Sequence, residues 1–139
     1  MEIYKAFATD QRAETEGIIL DYGQNAAGNP VQIRVARAGG SNQRFAKSLE
    51  ARMRPYKRLI ANDTLDPKIA ERVLIDSFAD AVVLGWAGIT GPDGLEIPFS
   101  RENVVRVFTD LPDLFADVQQ QSQKSALFRA EIREAESGN

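Results

Sequence analysis

The chain has 139 residues, 43% apolar and 27% charged, with a net charge of −3, the size and composition of one globular domain able to bury its own core. It contains neither cysteine nor histidine, which excludes disulfides, thiolate zinc sites, cysteine nucleophiles and imidazole general bases. The longest apolar run, Ala81 to Ile89, is far short of the roughly 20 residues a membrane helix needs, and Met1 to Phe7 lacks the basic and apolar regions of a secretion signal, so a cytoplasmic protein is expected.

Residues 1–16 are polar and mixed, and read as a poorly ordered lead-in. Gly17 to Tyr22 is rich in strand formers, and Val31 to Arg37 alternates, with Val31, Ile33 and Val35 on one face. The turn-rich segment Gly23 to Pro30 between them predicts an antiparallel hairpin over 17–37 with one buried face. Gly39, Gly40, Ser41 and Asn42 end the strand and offer helix caps.

Residues 42–84 are predicted to be helical. Apolar residues at Phe45, Leu49, Met53, Tyr56 and Ile60 share one helix face, interrupted by Pro55, which predicts a kink or break near Arg54. Asp66 is placed to cap a helix with Pro67 at its first position. This core helix is expected to run to about Leu84 on a stripe of Ile69, Val73, Leu74, Ser77, Phe78, Ala81 and Val82, closed by Gly85.

Residues 85–99 read as a loop between helices, with Trp86 and Phe99 bracketing a type I turn at Gly91-Pro92-Asp93-Gly94. Residues 100–136 are again helical. Ser100 is expected to cap one helix to about Thr109, and Asp110 to cap another that holds Pro112 in its first turn and continues to about Ala135. In that last helix Leu114, Phe115 and Val118 are separated by a glutamine-rich run from a second apolar group, Leu127, Phe128 and Ile132. The expected fold is therefore α+β and mainly α: an N-terminal antiparallel hairpin, then a bundle of about four to five helices with a Trp/Gly/Pro loop before the C-terminal ones.

Charge is distributed unevenly. Residues 1–33 carry −3, residues 34–58 carry +7 and residues 59–139 carry −7. The basic segment includes Arg44, Lys47, Arg52, Arg54, Lys57 and Arg58, a candidate self-association patch against the acidic C-terminal part. Basic residues flanking Phe45 and Tyr56 also fit a second reading, a nucleic-acid-binding regulator, although the overall acidity of the chain argues against nucleic acid as a partner. Asp76 and Asp80 share a helix face and read as solvated charges. There is no phosphate-binding loop and no complete calcium loop. No catalytic, cofactor-binding or metal residue is assigned, and an enzyme is not expected.

The chain resembles the tail assembly chaperones of long-tailed, siphovirus-type bacteriophages. The likeness is carried, in order and spacing, by Phe7, Thr9 and Asp10 with Glu16-Gly17-Ile18, and by Ile33, Val35 and Ala36 through Gly40 with Asn42. It continues in Gly85-Trp86, Gly88-Ile89, Asp93-Gly94, Pro98-Phe99-Ser100 with Glu102-Asn103, Leu111 to Leu114, Phe128 and Asn139. The resemblance implies a non-enzymatic factor that binds the tape-measure protein, keeps it soluble and helps tail-tube protein polymerise around it. It further implies self-association, action in the cytoplasm of the infected host and exclusion from the mature virion. Candidate partner-binding residues are Trp86, Phe99, Leu127, Phe128 and Ile132. A structural tail component retained in the virion is the remaining alternative.

Overall fold

The computed structural model describes Met1 to Ser137; Asn139 lies outside the described residues. The architecture is α+β and mostly helical, as the patterning implies. Two short helices, α1 (Ile3–Phe7) and α2 (Gln11–Glu16), precede strands β1 (Ile18–Gln24) and β2 (Pro30–Val35). Helices α3 (Gln43–Met53), α4 (Lys57–Ala61) and α5 (Pro67–Ala81) follow, then β3 (Val83–Ala87), α6 (Arg101–Asp110), α7 (Pro112–Gln123) and α8 (Ala130–Ser137). Single 3-10 turns at Arg54–Tyr56 and Ser125–Phe128 join α3 to α4 and α7 to α8.

The hairpin forms as expected, with Ile18 opposite Val35 and Leu20 opposite Ile33. Its inner residues Ile18, Leu20, Ile33 and Val35 are buried, while Ile19 and Arg34 face outward. A lone hairpin is marginal in water, and this one is completed by a third, antiparallel strand in the order β1-β2-β3. That strand corrects the expected loop over 85–99. The core helix ends at Ala81, not Leu84, and Val83 to Ala87 pairs with β2, placing Trp86 opposite Ile33. The buried sheet face packs on a chain of aromatic rings, Phe45, Phe78, Phe115 and Phe108, whose successive centroids are 5.2–5.3 Å apart.

Residues 1–16 are not a poorly ordered lead-in. Asp10 caps α2 by accepting from the amides of Arg12 and Ala13, and the chain on either side is tied to the C-terminal segment, Asp10 N–H donating to Phe128 O and Ala130 N–H to Ala8 O. The single C-terminal helix is likewise broken. Ser122 O accepts from Ala38 N–H at 2.9 Å rather than from the next helical turn, and Lys124 turns extended. The expected cap at Asp110 is also displaced: Asp110 ends α6, and α7 starts after Leu111 without a side-chain cap. Asn42 occupies the N-cap position of α3 but does not cap it. Its buried amide donates instead to the carbonyls of Arg37 and Ala81, at 2.9 Å each.

The other local signals fold as read. Asp66 accepts from Lys68 N–H with Pro67 at the helix start, and Ser100 accepts from Asn103 N–H. Gly91 to Gly94 forms the turn, closed by Gly94 N–H to Gly91 O, with Thr90 bridged to Glu96.

Candidate functional site

Asp76 and Asp80, one turn apart on α5, are the centre of a charge network. Arg52 on α3 places Nε 2.8 Å from Asp80 Oδ2, and Arg101 on α6 places Nε 2.7 Å from Asp80 Oδ1. Ser48 donates to Asp80 Oδ2 at 2.8 Å, and Arg72 lies 3.2 Å from Asp76. Burial opposes the charged form of Asp80, but the hydrogen bonds from Arg52, Arg101 and Ser48 outweigh it and hold the carboxyl down at about 2. A carboxylate saturated by donors is a clamp between three helices rather than a general base. Among the described residues no cluster of three or more acidic side chains is placed to hold a metal.

This network draws on the basic segment. Arg52 is turned to Asp76 and Asp80, Arg44 donates to the Asp80 main-chain carbonyl, and Arg54, just past the end of α3, pairs back with Glu50 on that helix. Lys47, Lys57 and Arg58 remain exposed.

Two surfaces carry apolar side chains that the core does not absorb. The first follows from Pro55. Proline lacks the amide proton a helix interior needs and its ring crowds the preceding turn, so α3 stops at Met53 and the chain turns through Arg54–Tyr56 into α4. The stripe from Phe45 accordingly runs outward: Phe45 is buried, Leu49, Met53 and Tyr56 are half-buried, and Ile60 is exposed. The consequence is a groove of about 460 Å³ between the Pro55 turn and the first half of α5, floored by Pro55, Tyr56, Ile69 and Val73 and bordered by Lys68 and Arg72. Leu59 and Ile60 on α4 are also exposed. Ile69, expected in the core stripe, faces solvent at 36% exposure.

The second surface lies where α1 meets α8. Met1, Ile3, Tyr4 and Phe7 are exposed, as is Ile132 at 37%, and the Arg129 guanidinium sits 4.3 Å from the Phe7 ring centre. Of the apolar residues marked from sequence, Ile132 belongs to this surface. Leu127 is half-buried, and Phe128 is fully buried at 0% exposure, which removes it as a surface contact. Trp86 and Phe99 pack edge to face at 5.6 Å, and the indole N–H donates to Ile97 O at 2.9 Å. Trp86 thus fastens the 88–99 loop to the sheet, and Phe99 keeps 40% exposure. Sequence reasoning missed the α1 surface because residues 1–16 read as unstructured. The spacing of Ile3 and Phe7, four apart, was the available signal.

The fold and its surfaces define a mainly helical α+β domain with exposed apolar side chains on two faces and a structural ion-pair clamp. Residues 40–139 match the family of YdaY prophage proteins, and the chain belongs to that family. No curated protein and no solved structure matches it. No helix among the described residues is long and apolar enough to cross a membrane.

Proposed function

We propose that this prophage-family protein is a tail assembly chaperone: a non-enzymatic factor that binds the tape-measure protein in the host cytoplasm, keeps it soluble, promotes tail-tube polymerisation around it and is left out of the virion. The observation that carries the reading is the pair of outward apolar surfaces, one around Leu59, Ile60 and Ile69, the other around Ile3, Tyr4, Phe7 and Ile132. A long helical client with an exposed apolar stripe is held soluble by several shallow contacts acting together, and avidity then replaces a deep pocket. The family's prophage origin agrees with a role in phage assembly. Nucleic-acid binding draws less support, because Arg44 and Arg52 are engaged by Asp80 and Phe45 is buried, so the basic segment offers no paired aromatic platform.

Co-expression with the tape-measure protein followed by pull-down tests the proposal. The expected result is a soluble client retained on the tagged chaperone; an insoluble client that fails to co-purify overturns it. Mass spectrometry of purified particles separates the chaperone from a structural tail component, which alone would be present in stoichiometric amounts.

A further inference from the structure

We propose that the groove between the Pro55 turn and the first half of α5 is the docking site for one amphipathic client helix whose apolar stripe is flanked by acidic residues. The inference rests on the chaperone reading and names the chemistry of the segment recognised.

The shape of the site comes from a helix that stops early. α3 packs along the C-terminal half of α5, with Phe45 against Phe78 and Ser48 and Arg52 against Asp80. Continued as a helix, α3 would pass over Val73 and Ile69. The break at Pro55 diverts the chain, so the first two turns of α5 lack that helical neighbour, and the place it would occupy is the groove. Its floor presents Ile69 and Val73 one turn apart on one side and Pro55 and Tyr56 on the other. An incoming helix would supply residues at i, i+3, i+4 and i+7 to such a floor.

The border decides the sign of the flanks. Lys68 and Arg72 edge the groove, and Lys57 and Arg58 follow Tyr56 directly on α4. Against these stand Asp76, already paired with Arg52, Arg72 and Arg101, and the exposed Glu71. The uncompensated charge is positive, so acidic flanks are favoured and basic ones repelled. A nucleic acid fits poorly: the floor is aliphatic apart from Tyr56, and Asp76 faces the same space.

The test is fluorescence anisotropy on the full chain with a labelled helical peptide carrying leucines at i, i+3, i+4 and i+7 and glutamates beside them. A lysine-flanked counterpart and a single-stranded oligonucleotide are run alongside. The acidic peptide is expected to bind, the basic one at least about tenfold more weakly, and Ile69→Asp to weaken the acidic peptide by about tenfold. Ile69 is partly exposed, and circular dichroism checks that the variant folds; Lys68→Glu, at an exposed position on the groove's edge, gives the same readout without touching the core. Unchanged affinity in both variants, equal binding of the lysine-flanked peptide, or displacement by the oligonucleotide would overturn the inference. So would a dimer of the free protein that Ile69→Asp dissolves, since the occupant is then a second copy. The two readings fail separately. Tape-measure protein retained by Ile69→Asp as well as by the parent removes the groove alone, whereas peptide binding without co-purification of the tape measure removes the client assignment alone.

Discussion

Arg52 Nε and Asp80 Oδ2 stand 2.8 Å apart across the α3–α5 contact, with Arg101 holding the other oxygen of the same carboxylate from α6. The Asp80 carboxyl is depressed from 3.8 to about 2. A depressed carboxyl contributes stability that is complete above its unfolded value and lost as pH falls through its folded value. Asp80→Asn is therefore expected to cost about 2 kcal/mol at neutral pH, and the difference from the parent to shrink between about pH 4 and pH 2. Urea unfolding of both proteins across that range measures it. A gap that stays constant down to pH 2 would remove the ion-pair account.

Glu14 makes a different kind of junction. Its carboxylate is 2% exposed and accepts from the Ser41 amide at 2.7 Å and the Ser41 hydroxyl at 3.0 Å, with Arg37 3.5 Å away. Burial raises its pKa, and the Ser41, Thr9 and Arg37 contacts more than reverse that. The close approach requires Gly40, which has φ +53 and whose added Cβ would collide with Glu14 Oε2 and the Arg37 guanidinium. Gly40→Ala is expected to destabilise by about 2–3 kcal/mol. Gly28, also at positive φ but with open space around it, provides the control: Gly28→Ala bears only the conformational cost of about 1 kcal/mol. Equal losses in the two variants, read by thermal unfolding, would mean that the Glu14 contact adds nothing.

These two junctions mark what the sequence could and could not convey. Elements set by neighbours in the chain were legible: the Asp66-Pro67 helix start, the Ser100 cap, the Pro55 break, the Gly91 to Gly94 turn and the alternation of Val31, Ile33 and Val35. Elements set by distant partners were not. Val83 to Trp86 extends the apolar run of the preceding helix, and only its ladder with β2 makes it a strand. The glutamine run through Gln123 favours a continuous helix, which ends because Ala38 claims the Ser122 carbonyl. Asp76 and Asp80 look solvated until Arg52 and Arg101 arrive from other helices. Of the candidate contact residues, Trp86 lies in β3 and packs on Phe99 of the following loop, whereas Phe128 is buried beside α2 and the segment around Thr9. The groove could not be read at all, because it is the space left by a helix that stops.

Phe128 and Ile132 separate core from surface within one apolar group. Phe128→Ala is expected to cost about 3–5 kcal/mol, the usual loss for a buried phenylalanine. Ile132→Ala, at a position 37% exposed, is expected to cost under about 1 kcal/mol while weakening retention of the tape-measure protein in pull-down. If Ile132→Ala leaves both stability and retention untouched, the α1–α8 surface has no part in client binding.

We propose that the charge pattern also drives self-association, and the structure narrows which charges are free to do so. Arg37, Arg52 and Arg54 are paired within the chain, to Glu14, to Asp76 and Asp80, and to Glu50. Lys47, Lys57 and Arg58 are exposed with no ion pair among the described residues, and so are Asp110 and Asp113 in the acidic part. Contacts between two unlike patches are head to tail, and they build rings or open helices rather than closed dimers. Because the charges concerned are solvated, ions screen them: the Debye length falls from about 10 Å at 0.1 M to about 3 Å at 1 M salt. Sedimentation velocity is therefore expected to show mass falling as salt rises, and Lys57→Glu combined with Arg58→Glu to reduce the low-salt assembly to the mass of single chains. A mass that does not change across the salt series rules out exposed charge as the driving force, and any assembly that persists must then be held by the apolar surfaces.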